Sequence, residues 1–330
     1  MIEGHGDDLY RYPDIKMNFS SNIYTGTDLS ALYSHLSACM QVVASYPEPQ
    51  ASSLERMIAH ECGISPNEVL VTSGAVDAIY LIAQVYRHHG TCKVMTPTFS
   101  EYEDACRVFG YKECDDAALC WLCNPNNPTG SVLAPDQVLA MANHYRLLIV
   151  DQSYEDYTLA PLLSSRDVVR RDDIILLHSM TKRYAVPGLR LGYITASATI
   201  IKELRSQYRP WAINALSLEA GKWLVENRLK AIPDLAKYLE ETQRLRFMLN
   251  EIEGIEAQDT MTNFFLCSIA QATAADLKAY LAHEHGILIR DASNFTGLAP
   301  HHFRIATQSP EANDALVEAI KQFTSPWNHI

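Results

Sequence analysis

An alternation constrains this chain more than any other feature. Short aliphatic runs at 68–72, 93–96, 119–123, 147–150, 174–177 and 191–195 are separated, over most of that span, by stretches with helical spacing at 75–89, 99–109 and 135–144. Apolar runs this short and this rich in Val, Ile and Leu predict strands buried on both faces, and helices between them predict a mainly parallel sheet covered on both sides. Ligands of such sheets gather beyond the carboxyl ends of the strands. The residues able to do chemistry fall at those ends: Ser73 after the first run, Asn127 and Asp151 after the middle ones, and Ser179 after the fifth. One shared site is therefore expected.

Outside that region the pattern changes. Ser52 followed by Glu55 is a capping-box signature opening a helix over 52–62 with a stop at Gly63. Helical spacing covers 199–209, 214–227 and 233–252, with Pro233 suited to a first helical position and Gly254 ending the run. Strands at 264–269, 287–290 and 303–307, with helices from Thr273 and Pro310, predict a smaller α+β unit. At 330 residues the chain has room for one large and one smaller domain. The expected division is an N-terminal arm joined to the small domain at 1–45, a large domain at 46–228, and the small domain at 229–330.

Charge and composition exclude several classes. A formal net charge of −12, from 39 acids against 27 bases, disfavours nucleic acid or an anionic membrane as the main partner. An anionic ligand would need a local basic pocket, for which Lys182, Arg190, Arg290 and Arg304 are available. No apolar run is long enough to span a bilayer, and Met1-Ile2-Glu3-Gly4-His5 lacks the basic and apolar regions of a signal peptide, so a cytoplasmic location is expected. Eight cysteines are too sparse for a disulfide scaffold. Cys120 and Cys123 sit three apart on a predicted strand and so face opposite ways, and adjacent histidines such as His88-His89 do not share a helix face. No metal site is expected.

The chemistry concentrates around Lys182. In the segment 178–193 it lies between Ser179, Thr181 and, eight residues on, Arg190, with Gly188 and Gly192 interleaved. A lone lysine in a polar loop is an ordinary surface group, but this one is expected on the loop between two buried strands. An ammonium at the edge of a core favours a lowered pKa, the form that attacks a carbonyl. Gly74, opening a helix, lets an anion approach the backbone N–H groups there. Asn124-Pro125-Asn126-Asn127-Pro128-Thr129-Gly130 is a loop on its breakers alone. Asp151 ends a buried strand, where an acid is a cap or the partner of a cation.

Taken together, these motifs resemble the fold-type I pyridoxal-phosphate enzymes of the class I/II aminotransferase family, which includes histidinol-phosphate aminotransferases and threonine-phosphate decarboxylases. The resemblance covers nearly the whole chain. It is closer to the decarboxylases through 181–193, 210–216 and 287–295 and through the two N-terminal clusters, Gly4-His5-Gly6 and Asn18-Phe19-Ser20-Ser21-Asn22-Ile23. It implies an α/β aminotransferase fold with pyridoxal 5'-phosphate as cofactor and Lys182 as the Schiff-base lysine. Ser73, Gly74, Ala75, Ser179, Thr181 and Arg190 would hold the cofactor phosphate, joined by Tyr46 of a neighbouring subunit in a homodimer. Tyr102 would stack on the ring, Asp151 would pair with its protonated nitrogen, and Asn127 and Tyr154 would meet its phenolic oxygen. Arg304 would clamp the substrate α-carboxylate and Arg290 its other anionic end, with His5 and Asn22 bordering the substrate. Ser73 stands where asparagine is usual, Gln152 where glutamate is common, and Asp7 where the decarboxylases carry a second glycine. The substrate class implied is a small phosphorylated amino acid or amine. The implied reaction is decarboxylation of L-threonine O-phosphate to aminopropanol O-phosphate, feeding the cobalamin side chain. The alternatives are an aminotransferase of the histidinol-phosphate or aromatic amino acid type, and a non-catalytic regulator that binds pyridoxal phosphate.

Overall fold

The computed structural model describes residues 8–325. After a short strand β1 (Met17–Asn18), the aliphatic runs form β2 (Val69–Thr72), β3 (Thr91–Val94), β5 (Leu119–Cys123), β6 (Leu147–Asp151), β7 (Ile174–His178) and β8 (Gly192–Thr195), with a short β4 (Lys112–Glu113) between the third and fifth. β2 to β8 make one seven-stranded sheet in the order β2-β8-β7-β6-β5-β3-β4. From β4 through β3, β5 and β6 to β7 every pairing is parallel, whereas β8 runs antiparallel to both β7 and β2.

That reversal positions the site. β8 begins at the edge where β2, β5, β6 and β7 end, so Arg190, two residues before β8, is brought to Gly74 after β2 and Ser179 after β7. Both faces of the sheet are covered. Leu119, Trp121 and Cys123 pack with helices Gly74–Val85, Glu101–Val108 and Ala198–Gln207, while Cys120 and Leu122 join the opposite cluster with helix Pro135–Ala142. The strand period of two thus separates Cys120 from Cys123. Helices Ser52–Cys62 and Ala215–Glu226 complete that second face over β2 and β8.

The second half holds β9 (Ile255–Ala257), β10 (Phe264–Ile269), β11 (Ile287–Leu288), β12 (Arg290–Asp291) and β13 (His302–Ala306). An antiparallel sheet runs β12-β13-β10-β9, and β11 pairs in parallel with β1. The single strand expected over 287–290 is therefore split at Ile289. The N-terminal segment is the cause: Phe19 N–H reaches Leu288 O at 2.7 Å while Phe19 O accepts from Ala306 N–H at 3.0 Å, so the segment lies between β11 and β13. Phe19 is fully buried there, among Leu245, Phe265, Ile287 and Phe303.

Three local expectations are corrected. Ser52 is the first residue of its helix, and Glu55 is no capping partner: it is buried, accepts the Val71 N–H at 3.2 Å and pairs with Arg205 at 3.1 Å. The long helix is Leu235–Asn250, not one beginning at Pro233, because the Asp234 carboxylate caps it by accepting from Lys237 N–H at 3.0 Å. It ends before Gly254, whose φ of +80° serves the turn into β9. Lys182 lies not on an open loop but in one helical turn, Met180–Arg183. Backbone bonds Tyr184 N–H to Met180 O and Val186 N–H to Thr181 O close that turn, and Thr181 N–H to Leu191 O ties it to the residue before β8. No helix among the described residues is long and apolar enough to cross a membrane.

Candidate active site

At the carboxyl edge of the large sheet lies a cavity of about 370 Å³ lined by residues from both halves of the chain. Its floor is built on Asp151, which β6 delivers in a buried position. Asp151 Oδ2 accepts from Tyr102 Oη at 2.6 Å and Oδ1 from Ser153 N–H at 2.8 Å. Burial, and then the Asp151 charge, push the Tyr102 phenol well above its ordinary value, so it remains a donor. The Tyr102 ring is fixed by stacking on Trp121 (centroids 5.5 Å apart, planes at 16°) and by the edge of Phe99. A carboxylate held by two hydrogen bonds in an apolar surround is a fixed negative charge, ready for a cation at the cavity floor.

Lys182 enters from the side. Its Nζ donates to Asn22 Oδ1 at 2.9 Å and stands 5.6 Å from the Tyr154 ring centroid, while Asn22 Nδ2 donates to Tyr154 Oη at 2.6 Å. Asn22, Lys182 and Tyr154 thus form one bonded group although they come from the N-terminal segment, the β7 turn and the residues after β6.

The third wall is shaped by two glycines. Gly74 has φ +84°, and a Cβ there would stand 2.7 Å from Arg190 Nη2. A Cβ on Gly192 would stand 2.9 Å from the Gly74 carbonyl carbon and 3.0 Å from Ala75 N. Only glycines let the Arg190 guanidinium, the start of β8 and the amino end of helix Gly74–Val85 meet. That helix end carries backbone N–H groups without intrahelical partners, and a guanidinium beside it makes an anion cradle. Beside it Thr181 Oγ1 is buried and has no hydrogen-bond partner among the described residues. An unpaired buried hydroxyl next to such donors fits a phosphate oxygen as its missing partner. Ala75, Ser179, Thr181 and Arg190 line the cavity. Ser73 and Gly74 stand behind that lining, and the Ser73 N–H is held by Asp77 Oδ2 at 2.9 Å.

The fourth wall is cationic. Arg304 on β13 is 4% exposed; its Nη1 donates to Asn127 Oδ1 at 2.6 Å, its Nη2 to the Ser20 carbonyl, and its guanidinium covers the Phe264 ring at 5.6 Å. Arg290, its cross-strand partner on β12, donates to Asn294 Oδ1 at 2.8 Å and covers Phe295 at 5.3 Å. Burial, followed by the charge of Arg304, pushes the Arg290 guanidinium down to about 10. Two desolvated like charges side by side favour anionic ligands, which remove both penalties.

The cavity therefore brings together Ala75, Tyr102, Asn127, Asp151, Tyr154, Ser179, Thr181, Lys182, Arg190, Asn22, Arg290 and Arg304. It does not include Tyr46, which is 88% exposed and packs on Trp211 at 5.7 Å. His5 lies outside the described residues. Ser20 and Ser21, and Asn294 and Phe295, line it within the stretches 18–23 and 287–295 that the resemblance sets beside the substrate, whereas sequence reasoning missed Phe99 and Glu101. Ser20 contributes a backbone carbonyl to Arg304, which no side-chain pattern reports.

The family model for aminotransferase class I and II matches residues 14–118 and 110–320. A solved structure of L-threonine-O-3-phosphate decarboxylase from Porphyromonas gingivalis is 35% identical, covers 94% of this chain and 99% of its own, and superposes with a TM-score of 0.90. A histidinol-phosphate aminotransferase of Thermoanaerobacter sp. (strain X514) is 30% identical over 302 residues, 84% of each chain. Likeness of fold extends to the histidinol-phosphate aminotransferase from Sinorhizobium meliloti, solved in complex with pyridoxal-5'-phosphate: TM-score 0.82 at 19% identity, covering 95% of this chain and 92% of that one.

Proposed function

The chain belongs to the aminotransferase class I and II family, and from that premise we propose that it decarboxylates L-threonine O-phosphate to aminopropanol O-phosphate, a step that would feed the cobalamin side chain. It is a pyridoxal-phosphate-dependent enzyme. When bound, the cofactor supplies an aldehyde that condenses with amines and a ring that takes up the electron pair released at the substrate α-carbon.

In this reading each residue has a role that its surroundings support. Ala75, Ser179, Thr181 and Arg190 would hold the cofactor phosphate against the end of helix Gly74–Val85, with Ser73 and Gly74 shaping the joint behind them. Asp151 would keep the ring nitrogen protonated, and Tyr102 would hold Asp151 while lining the ring's place. Asn127 and Tyr154 would face the phenolic oxygen. Lys182 is the amine that carries the cofactor, and once displaced by a substrate amine it can return a proton to the α-carbon or take one from it. Arg304 would clamp the α-carboxylate, exchanging the Ser20 carbonyl for it, and Arg290 with Asn294 would hold the second anion.

The observation that carries the substrate class is that second arginine. Arg290 is buried, pushed down by its surroundings, and adjoins Arg304 in the same cavity as Lys182. Two buried cations fit an amino acid with a carboxylate at one end and a phosphate at the other, whereas histidinol phosphate has one anionic group. The 35% identity to the Porphyromonas gingivalis decarboxylase supports the same choice. An aminotransferase reading is kept because of the 30% identity to the Thermoanaerobacter enzyme, and because a dicarboxylate acceptor would also satisfy two arginines. We further read the exposed Tyr46–Trp211 pair as a contact with a second copy of this chain, whose cofactor phosphate Tyr46 would reach.

The test is to incubate cofactor-loaded protein with L-threonine O-phosphate in the absence of any keto acid and to follow aminopropanol phosphate by mass spectrometry. Many turnovers are expected. A transaminase lacking an acceptor completes at most one, so absence of product, together with keto-acid-dependent loss of the amine from histidinol phosphate, would replace the decarboxylase reading.

A further inference from the structure

Tyr157 belongs to no motif of the sequence and does not line the cavity, yet it is bonded to the backbone of Lys182. The residue is fully buried, in the turn Glu155–Tyr157 that follows β6. Its hydroxyl accepts the Tyr24 N–H at 2.9 Å and donates to the Lys182 carbonyl at 3.1 Å. Two positions before Tyr24, Asn22 accepts from Lys182 Nζ at 2.9 Å. One short N-terminal segment therefore holds the lysine at both ends of its side chain, directly at the tip and through Tyr157 at the root.

The turn that carries Lys182 needs such support. Four helical residues are far below the length at which a helix is stable by itself, so contacts from outside must set the geometry. The backbone leaves the turn through Ala185 at φ +55°, and the Ala185 N–H reaches the Lys182 carbonyl at a long 3.3 Å. Burial pushes the Tyr157 phenol above its ordinary value, which keeps it protonated and donating. The Tyr154 ring stands edge-on to it at 6.3 Å. The same segment also meets the substrate wall, since the Ser20 carbonyl accepts from Arg304.

We propose that Tyr157 is a positioning residue for Lys182: it ties the lysine-bearing turn to residues 22–24, so that Nζ is pre-aimed at the carbonyl it must attack. The proposal rests on the reading of Lys182 as the amine that carries the cofactor. Its consequence is kinetic. Without the tie the same covalent link forms, but from a looser turn and more slowly.

The experiment uses the apo form of the full chain with pyridoxal phosphate as the probe. The link is trapped by borohydride at timed intervals and located by peptide mapping, while amide hydrogen exchange at Tyr24 is followed without cofactor. In Tyr157→Phe the trapping rate at Lys182 should fall about tenfold, the scale of one lost buried hydrogen bond, with the final extent unchanged. Tyr24 exchange should accelerate by a similar factor. Tyr111→Phe, which removes a hydroxyl bonded to the Ala83 carbonyl at 2.9 Å far from the site, should alter neither quantity. Equal trapping rates in wild type and Tyr157→Phe, or an equal slowing in Tyr111→Phe, would overturn the inference while leaving the assignment of Lys182 intact. No label at Lys182 in the wild type would overturn both. Should Tyr157→Phe not fold, the wild-type exchange decides: a Tyr24 amide that exchanges as fast as an unbonded one refutes the tie.

Discussion

Gly74 offers the sharpest test of the phosphate cradle, because one methyl group there perturbs two separable quantities. Gly74→Ala places a side chain on a backbone at φ +84° and sets its Cβ 2.7 Å from Arg190 Nη2. The left-handed conformation costs an L-residue about 1–2 kcal/mol. That cost falls on the folded chain whether or not a ligand is present, and should lower the melting temperature of the apo form by roughly 2–6 °C. The contact has a different effect. To reach an ordinary carbon–nitrogen separation the guanidinium must retreat by about 1 Å, enough to break a hydrogen bond to an anion lodged at the helix end. Because Arg190 is exposed, the lower end of the range for a charged hydrogen bond applies, and the dissociation constant for pyridoxal phosphate should rise by about tenfold. Fluorescence titration of the apo protein measures the second quantity and thermal denaturation the first. A double-mutant cycle then isolates the route: if the methyl acts through Arg190, Gly74→Ala should weaken binding no further in an Arg190→Gln background. A lowered melting temperature with unchanged affinity would show that Arg190 does not hold the phosphate.

Thr181→Val removes a buried hydroxyl that has no partner among the described residues, so the apo protein should gain ~1 kcal/mol in urea denaturation while pyridoxal phosphate binds about tenfold more weakly; a loss of stability with unchanged affinity would contradict the phosphate role. Arg304→Gln should raise KM for a carboxylate-bearing substrate by about a hundredfold and change cofactor affinity by less than about threefold, and equal losses in both would remove the clamp assignment. Burial, and then the charge of Glu155, raise the Asp156 carboxyl to about 6, above the ~3.9 of a free aspartate. The folded chain keeps that proton after the unfolded chain has released it, so this group's contribution to stability falls from about pH 4 to about pH 6 and is level above. Asp156→Asn should match wild type at the acid end of that window and exceed it at pH 7 and above in urea midpoint. A variant that tracks wild type throughout would refute the shift.

How much of this was legible beforehand follows from the range of the interactions. The strands β5, β6 and β7 announce themselves because each is buried on both faces, and an unbroken apolar run that short fits little except a strand inside a covered sheet. The edge at which Asn127, Asp151 and Ser179 collect was legible for the same reason, since parallel strands place their ends together. What failed were short-range rules overridden by distant partners. Glu55 has the spacing of a capping box, but Arg205, 150 positions away, and the Val71 N–H take its carboxylate into the interior. Lys182 shows no helical period because a single turn has none to show, and the bonds that tie the turn down from outside come from Leu191, just before β8, and Tyr157.

The N-terminal segment shows why the least patterned part of the chain organises the most of the site. Residues 18–24 carry no period of two or of 3.6, since their backbone groups serve three different elements. Phe19 bridges β11 and β13, Ser20 gives its carbonyl to Arg304, Asn22 takes the Lys182 ammonium, and Tyr24 gives its N–H to Tyr157. Each partner is more than 130 positions away. On the proposed role of Arg304, a substrate carboxylate would compete for the same guanidinium that holds the Ser20 carbonyl, two residues from the asparagine bonded to Lys182. Ser20, which holds the arginine, and Asn22, which holds the lysine, are joined by one short stretch of backbone. An extended segment can do this and a regular strand cannot, because a strand would use in a ladder the backbone groups that here reach three parts of the site.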